Sequence, residues 1–293
     1  MTLEQLAIFV AVAEREHLTR AADAIHLTPS AVSSAIKTLE QHYGVELFHR
    51  VGRRIELTDT GRIFLAEARE TLARARSAEL VLSELGGLMR GTLSVHASQT
   101  IASYWLPPRL MRFRAAYPGI DLTLTLGNTR SVARAVIGGQ ADLGFVEGEL
   151  DEPALAVTAV GHDELTILVA PGHPWTETGA LTAEVLAKAS WIMREEGSGT
   201  RSMFEKALAE AGVAPDGLDV ALVLPSNEAI LSALEGGQCA AAISRLAARG
   251  LIDAGHLVAI HFPLGSRRFL SLHHKERHRS RAALELARIC GAP

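Results

Sequence analysis

The sequence of 293 residues predicts a two-part fold: a small, mainly α-helical head with a β-hairpin, then a larger α/β part of two lobes, with one long helix between them. Three observations carry this. Apolar residues recur at three- and four-residue spacing through the first sixty positions. A helical pattern of about thirty residues follows, long enough to span about 45 Å. From Gly91 onward, short apolar strand patterns alternate with helical ones, as in α/β sheets. At about 150 residues per domain the length also gives about two domains.

In the head, Leu3, Leu6, Phe9, Val10 and Ala13 mark the buried face of a helix over roughly residues 2–15. After a break at His17-Leu18, Thr19 is expected to cap a second helix through Ala21, Ala22 and Ile25 to about His26. Thr28 and Pro29 supply an N-cap and a first-turn proline for a third helix, with Val32, Ile36, Leu39 and Tyr43 on one face and Gly44 at its end. Two short helices around a tight turn, the second opening on small polar residues, have the layout of a helix-turn-helix that offers a recognition helix to a major groove, although three small helices with a Thr-Pro cap occur in many other folds as well. Its expected DNA contacts are Thr28, Pro29, Ser30, Ser33, Ser34 and Lys37: small hydroxyls permit close approach to phosphate or base edges, and Lys37 adds charge. Val45, Leu47 and Phe48, then Arg50, Gly52, Arg53 and Arg54, then Ile55-Glu56-Leu57 read as a basic β-wing.

Charge is less welcoming to DNA. The chain carries 29 Lys and Arg against 33 Asp and Glu, a net −4, which excludes a globally basic coat. Residues 1–62 hold seven cations against eight anions, a net −1, yet Lys37, Arg50, Arg53 and Arg54 cluster opposite only Glu40 and Glu46. Hydrophobic content of 48% excludes a charge-rich disordered chain. No apolar run of spanning length occurs, and the N-terminus lacks the basic region and cleavage site of a signal peptide, so a cytoplasmic protein with no membrane partner is expected. Two isolated cysteines, Cys239 and Cys290, indicate neither disulfides nor zinc.

Thr58 and Asp59 open the long helix, on which Leu65, Ala68, Leu72, Ala75 and Leu82 form a heptad-like seam interrupted at Glu79. It reads either as a dimerisation helix or as a surface helix packed on its own domain. Beyond it, the strands GTLSVHAS, IDLTLTLG, ADLGFVEG, ELTILVA, WIMRE, VALVLP, QCAAAIS and LVAIHF alternate with helices, and two such units make a clamshell. Ser98, Gln99 and Thr100 follow the first strand, Glu195 to Arg201 follow WIMR, and Ser226 and Asn227 follow VALVLP. Singly, each such residue reads as an N-cap; together, helix N-termini and hydroxyls at strand ends suit a small anion held between the lobes.

Other chemistry is screened out by what is missing. GSGTRS has Ser202 where a dinucleotide fingerprint needs glycine, there is no P-loop or GxSxG, and Glu195 and Glu196 would point apart. No cofactor, metal or catalytic residue is expected. His273 and His274, in a basic tail running through Lys275, Arg277, Arg279 and Arg281, read as a solvated helix face.

The run from Ala7 to Gly61 resembles the winged helix-turn-helix of LysR-type transcriptional regulators, in register at Phe9, Ala21-Ala22, Ala31-Val32-Ser33, Ile36, Leu39-Glu40, Leu47-Phe48, Arg53-Arg54 and Leu57-Thr58. One departure is Pro29-Ser30, where many members carry Gln after the Thr. ASQTIASYWLP, REEGSGTR and SNEAI with AISRLA are similar to the effector domain of the sulfur-assimilation and carbon-fixation regulators of that family. The resemblance implies a DNA-binding head over residues 1–58, a linker helix over 59–88, and a periplasmic-binding-protein-like effector domain over 89–293. Lobe one would take about 89–162 and 267–293, and lobe two about 163–266, with crossing strands near 161–168 and 262–270. It further implies double-stranded DNA, RNA polymerase, a small-molecule or anionic coinducer and a second copy of the chain as partners, in a dimer or homotetramer. Coinducer contacts carried over are Ser98, Thr100, Glu147, Glu195, Ser198, Thr200 and Asn227; the two carboxylates sit awkwardly with a bare anion unless they pair with Arg194 or Arg201. The alternative is a cytoplasmic small-molecule-binding protein or enzyme on the same clamshell, disfavoured by the missing catalytic constellation.

Overall fold

The computed structural model describes residues 1–51, 54–85, 91–177 and 181–291; Arg53 lies outside them, as do the side chains of Arg50 and Arg54. The chain divides into two compact units, the first holding Met1–Gly86.

The first unit opens with α1 (Leu3–Arg15), started by a capping box between Thr2 and Gln5. Helix α2 (Leu18–Ala24) is capped by His17, whose Nδ1 accepts from the Arg20 amide at 3.4 Å. Thr19, the expected cap, lies inside the helix, because the imidazole reaches the first turn earlier than a hydroxyl at Thr19 would. Helix α3 (Pro29–Tyr43) has Thr28 Oγ1 accepting from the Ala31 amide at 3.2 Å, and it stops at Gly44 with φ 67°. Strands β1 (Phe48–Val51) and β2 (Arg54–Leu57) pair antiparallel. Phe9 is wholly buried between Phe48 and Phe64, ring centroids 5.4 and 4.8 Å away, so truncating it would cost about 3–5 kcal/mol. From Asp59 the chain continues as α4 (Asp59–Leu85), with Ala68 buried against this core and Ile63 and Leu82 exposed.

In the second unit, strands β3 (Gly91–Ser98), β4 (Ile120–Gly127) and β5 (Leu143–Glu147) run parallel, with β3 central. The β3 exit is a π-helical turn over Ile101–Trp105, after which α5 (Pro107–Ala116) begins; the two are separate because Pro107 and Pro108 donate no amide hydrogens. Helix α6 (Thr129–Ile137) connects β4 to β5. Two long strands then cross between the lobes. Strand β6 (Leu155–Val169) is continuous, whereas the sequence pattern starts a strand only after His162, and β11 (Ser266–His274) pairs with it over Leu155 to Glu164. Lobe one is the sheet β4-β3-β5-β11-β6.

Lobe two reuses the far half of β6, against which β9 (Ala241–Ser244) and β10 (Val258–Ile260) lie antiparallel. Strands β7 (Ser190–Arg194) and β8 (Asp219–Leu224) pair parallel and join β9 through the Trp191–Ala240 bridge. Helices α7 (Ala183–Ala187), α8 (Gly199–Glu210), α9 (Asn227–Leu234) and α10 (Arg245–Asp253) complete it. Trp191 anchors its core between Trp175 and Phe204, and its Nε1 donates to the Leu186 carbonyl at 3.1 Å.

The basic tail is not a solvated helix face. His273 and His274 end β11, paired with Ala156 and Leu155, and the residues beyond form α11 (Arg281–Ile289), whose Ala282, Ala283 and Leu286 are buried in lobe one. Charge density masks an amphipathic helix with its apolar face inward. Among the described residues no helix is long and apolar enough to cross a membrane, and no cluster of metal-ligating side chains occurs.

Candidate functional site

Parallel strands deliver their C-terminal residues to one side of a sheet, and the helices that follow present free N–H groups there. Here β3 ends at Ser98, β5 at Glu147 and β7 at Arg194, while α8 starts behind Ser198 and α9 behind Ser226. Ser98, Thr100, Glu147, Ser198, Thr200 and Asn227, drawn from positions spread over more than a hundred residues, therefore meet where the lobes face each other, all buried.

Their polar groups satisfy one another. Ser98 Oγ donates to Glu147 Oε2. Asn227 Nδ2 donates to Thr100 Oγ1 at 3.0 Å, Asn227 Oδ1 accepts from Arg194 Nη1 at 2.8 Å, and the Asn227 amide donates to Gln99 Oε1 at 2.7 Å. Gln99 Nε2 and Tyr104 Oη both donate to Glu228, the latter at 2.7 Å. Burial first, and the neighbouring Glu228 carboxylate second, push the Tyr104 hydroxyl up, so it stays a proton donor. Ser198 is the exception: its Oγ is buried without a partner, and it makes no cap bond to α8.

At the centre lies Arg267, a residue for which the sequence pattern offers no signal. Its guanidinium donates to Asp163 Oδ2 from Nε at 2.9 Å and Nη2 at 2.7 Å, and to Thr200 Oγ1 from Nη1 at 2.8 Å. Nη2 reaches Thr100 Oγ1 at 3.4 Å, and Nη1 stands 3.5 Å from Glu147 Oε1. Glu195 takes Arg194 Nε at 2.8 Å and Nη2 at 3.0 Å, and accepts from Asn128 at 3.1 Å. Arg201 instead pairs with Glu205. Both awkward carboxylates thus have cationic neighbours, Glu195 in Arg194 and Glu147 in Arg267. The pair from Arg267 to Asp163 also stands between two cavities, one of about 240 Å³ lined by Gly148, Met203 and Arg267, the other of about 580 Å³ lined by Trp105, Asp163 and Arg245.

Contacts around the rim draw the lobes together. Arg130 Nη1 donates to Glu196 at 2.8 Å and Lys206 Nζ to Glu149 at 2.6 Å; in each case the cation's hydrogen bond holds the carboxyl below its ordinary range. Gly199 packs so closely on the Glu147 carbonyl oxygen that a Cβ would overlap it.

In the head, the N-cap Thr28 and Pro29, Ser30, Ser34 and Lys37 of α3 are exposed and Ser33 is half-buried. Thr38 and Gln41, not singled out by pattern, are exposed further along the same helix. The wing expectation for Arg53 falls outside the described residues; Arg50 and Arg54 sit on the backbone of β1 and β2.

Residues 3–62 match the family model described as bacterial regulatory helix-turn-helix protein, lysR family, and residues 86–292 match that of the LysR substrate binding domain. The chain belongs to the LysR family of transcriptional regulators. As a LysR-type regulator it is a DNA-binding transcription factor with an effector-binding domain, not an enzyme. It is 34% identical over 292 residues, 99% of this chain and 97% of the relative, to "Uncharacterized HTH-type transcriptional regulator YeiE" of Escherichia coli K12. It is 32% identical, over 96% of this chain and 85% of the relative, to "Probable RuBisCO transcriptional regulator" of Nostoc. Among solved structures, a full-length OxyR variant from Pseudomonas aeruginosa superposes with TM-score 0.70 at 23% identity, covering 99% of this chain and 94% of that one. CbnR in complex with its target DNA superposes with TM-score 0.67 at 21% identity, covering 99% and 100%. These last two likenesses concern the fold.

Proposed function

We propose that this LysR-type regulator senses a small molecule with an anionic group held between the lobes of its effector domain. Ser98, Thr100, Glu147, Glu195, Ser198, Thr200 and Asn227 are its contacts. The observation that carries the reading is Ser198: a buried hydroxyl without a partner, at the N-terminus of a twelve-residue helix, among convergent donors. Leaving a buried polar group unpaired is costly, and an anion accepting from Ser198 Oγ and the first amides of α8 would offset that cost. Binding would shift the population between lobe arrangements, so the effector must favour one of them.

The DNA contacts proposed are Thr28, Pro29, Ser30, Ser33, Ser34 and Lys37 on α3, with Arg50, Arg53 and Arg54 from the wing, and RNA polymerase is the proposed recipient of the signal. Self-association is supported by exposed apolar residues: Ile63 and Leu82 on α4, Leu126 on edge strand β4, and Val220, Leu222 and Val223 on edge strand β8. Dimers or tetramers would set two heads at the spacing of DNA half-sites.

The test is a thermal-shift screen of inorganic anions and organic acids against wild type and Thr100→Ala, with DNA binding measured on both. A ligand should stabilise wild type by RT ln(1 + [L]/Kd). The Thr100→Ala variant should lose that response while keeping its DNA affinity; an undiminished response would place the site elsewhere.

A further inference from the structure

The charges between the lobes do not add up to a site for a bare anion. Two guanidiniums, Arg194 and Arg267, face three carboxylates, Glu147, Asp163 and Glu195, and both cations are already engaged. Arg267 directs its donors to Asp163, Thr200 and Thr100; Arg194 directs its own to Glu195, Asn227 and the Pro225 carbonyl. An inorganic anion that drew its countercharge from either guanidinium would displace a carboxylate and leave it buried and uncompensated, which is the most costly outcome for an ion pair.

Glu147 is the weakest-held of the three. Its Oε2 accepts from Ser98, but Oε1 stands 3.5 Å from Arg267 Nη1, beyond good hydrogen-bonding distance, so it retains acceptor capacity in a fully buried position. Beside it, Gly199 rests on the Glu147 carbonyl, and its neighbour Ser198 holds the unpartnered hydroxyl. An under-used buried acceptor and an under-used buried donor thus lie on the two sides of the close contact between Gly199 and Glu147.

We propose that the effector is a small zwitterion of the amino-acid type, whose carboxylate is read by Arg267 and Ser198 and whose ammonium is read by Glu147. This rests on the inter-lobe cleft being the effector site. A ligand with both charges exchanges like for like: its carboxylate replaces Asp163 or Glu147 on Arg267, and its ammonium supplies the cation the freed carboxylate then needs. Arg267 and Asp163 are register partners on β11 and β6, the two strands that cross between the lobes, so drawing Arg267 toward a ligand loosens a tie within the hinge itself.

Full-length protein is titrated by calorimetry and thermal shift with each free amino acid, its N-acetyl form and its amide, and with sulfate and acetate as bare anions. At least one free amino acid should bind about ten times or more tightly than both of its blocked forms and than either bare anion, the scale of one charge-assisted hydrogen bond. Glu147→Gln should erase its preference for the free over the N-acetyl form, and Ser198→Ala should weaken every ligand without unfolding the chain. N-acetyl forms or bare anions binding as tightly as the free amino acid, with Ser198→Ala removing that binding, would overturn the zwitterion and leave the cleft as the site. Binding by no member of the panel would also overturn it. Tight binding that neither Ser198→Ala nor Arg267→Lys alters would instead refute the cleft reading.

Discussion

Arg267 and Asp163 stand opposite each other in register on the two crossing strands, and the Arg267 guanidinium closes on a single Asp163 oxygen from both Nε and Nη2. An ion pair within a hinge has a particular consequence. Its partners are held by the backbone of both strands, so any force on Arg267 from the cleft acts on the element about which the lobes turn.

Removing both partners of this pair should cost less than the two single losses added together. Arg267→Met leaves the buried Asp163 and Glu147 carboxylates without their guanidinium and should cost about 3–5 kcal/mol, whereas Asp163→Asn, which leaves Arg267 beside Glu147 at 3.5 Å, should cost less. The double variant should lose clearly less than the sum, read as a coupling energy in a denaturation cycle. Strictly additive losses would show that the two are not an energetic unit.

Gly199 sets how closely the lobes approach. In Gly199→Ala the new methyl would overlap the Glu147 carbonyl oxygen and crowd Thr129 Oγ1 at 2.8 Å, an overpacking worth roughly 1–3 kcal/mol. Solution scattering should give a larger radius of gyration, with the effector response diminished and DNA affinity kept. A variant with wild-type dimensions and response would remove this glycine from the closing contact.

Basic residues of the wing should act through phosphates. Replacing Arg53 and Arg54 with Ala should weaken binding on every DNA sequence tested and reduce the slope of log K against log salt by about 0.9 for each phosphate no longer neutralised. A slope equal to wild type would argue against the wing assignment.

His173 ties stability to pH. Its Nδ1 accepts from the Trp175 amide at 3.1 Å and its Nε2 meets the Gln238 carbonyl at 3.1 Å, so the folded ring is neutral, and burial lowers its pKa below 6.5. Above the unfolded value, about 6.5, both states are neutral and the ring's contribution is complete. As pH falls further the unfolded chain takes the proton first, and stability drains until the folded pKa is passed. His173→Gln should therefore flatten the loss of Tm between about pH 7 and pH 5; an identical pH profile would exclude this residue.

Local signals are readable where the chemistry is local. Thr28 with Pro29 and Gly44 delimit α3 because caps act within one turn, and glycine at Gly44 meets φ 67° without strain. Ser98, Thr100, Ser198, Thr200 and Asn227 are visible because strand ends and helix starts carry a polar signature. Thr19 misleads because the cap is an imidazole two residues earlier, at His17, and histidine carries a weaker capping signal than threonine. The tail from Lys275 to Arg281 misleads because charge density says nothing about which way Ala282, Ala283 and Leu286 turn.

Composition, periodicity and capping residues, all short-range, suffice for a helix-turn-helix head, a long helix and strand-helix alternation. Pairing across a hundred residues is beyond their reach. No spacing links Asp163 to Arg267, and a buried salt bridge comes into being only when β6 and β11 settle into one register and exclude water from both charges. Folding therefore turns an apparent anion site into a cleft whose cations are already taken, with Ser198 Oγ left as its unmet donor.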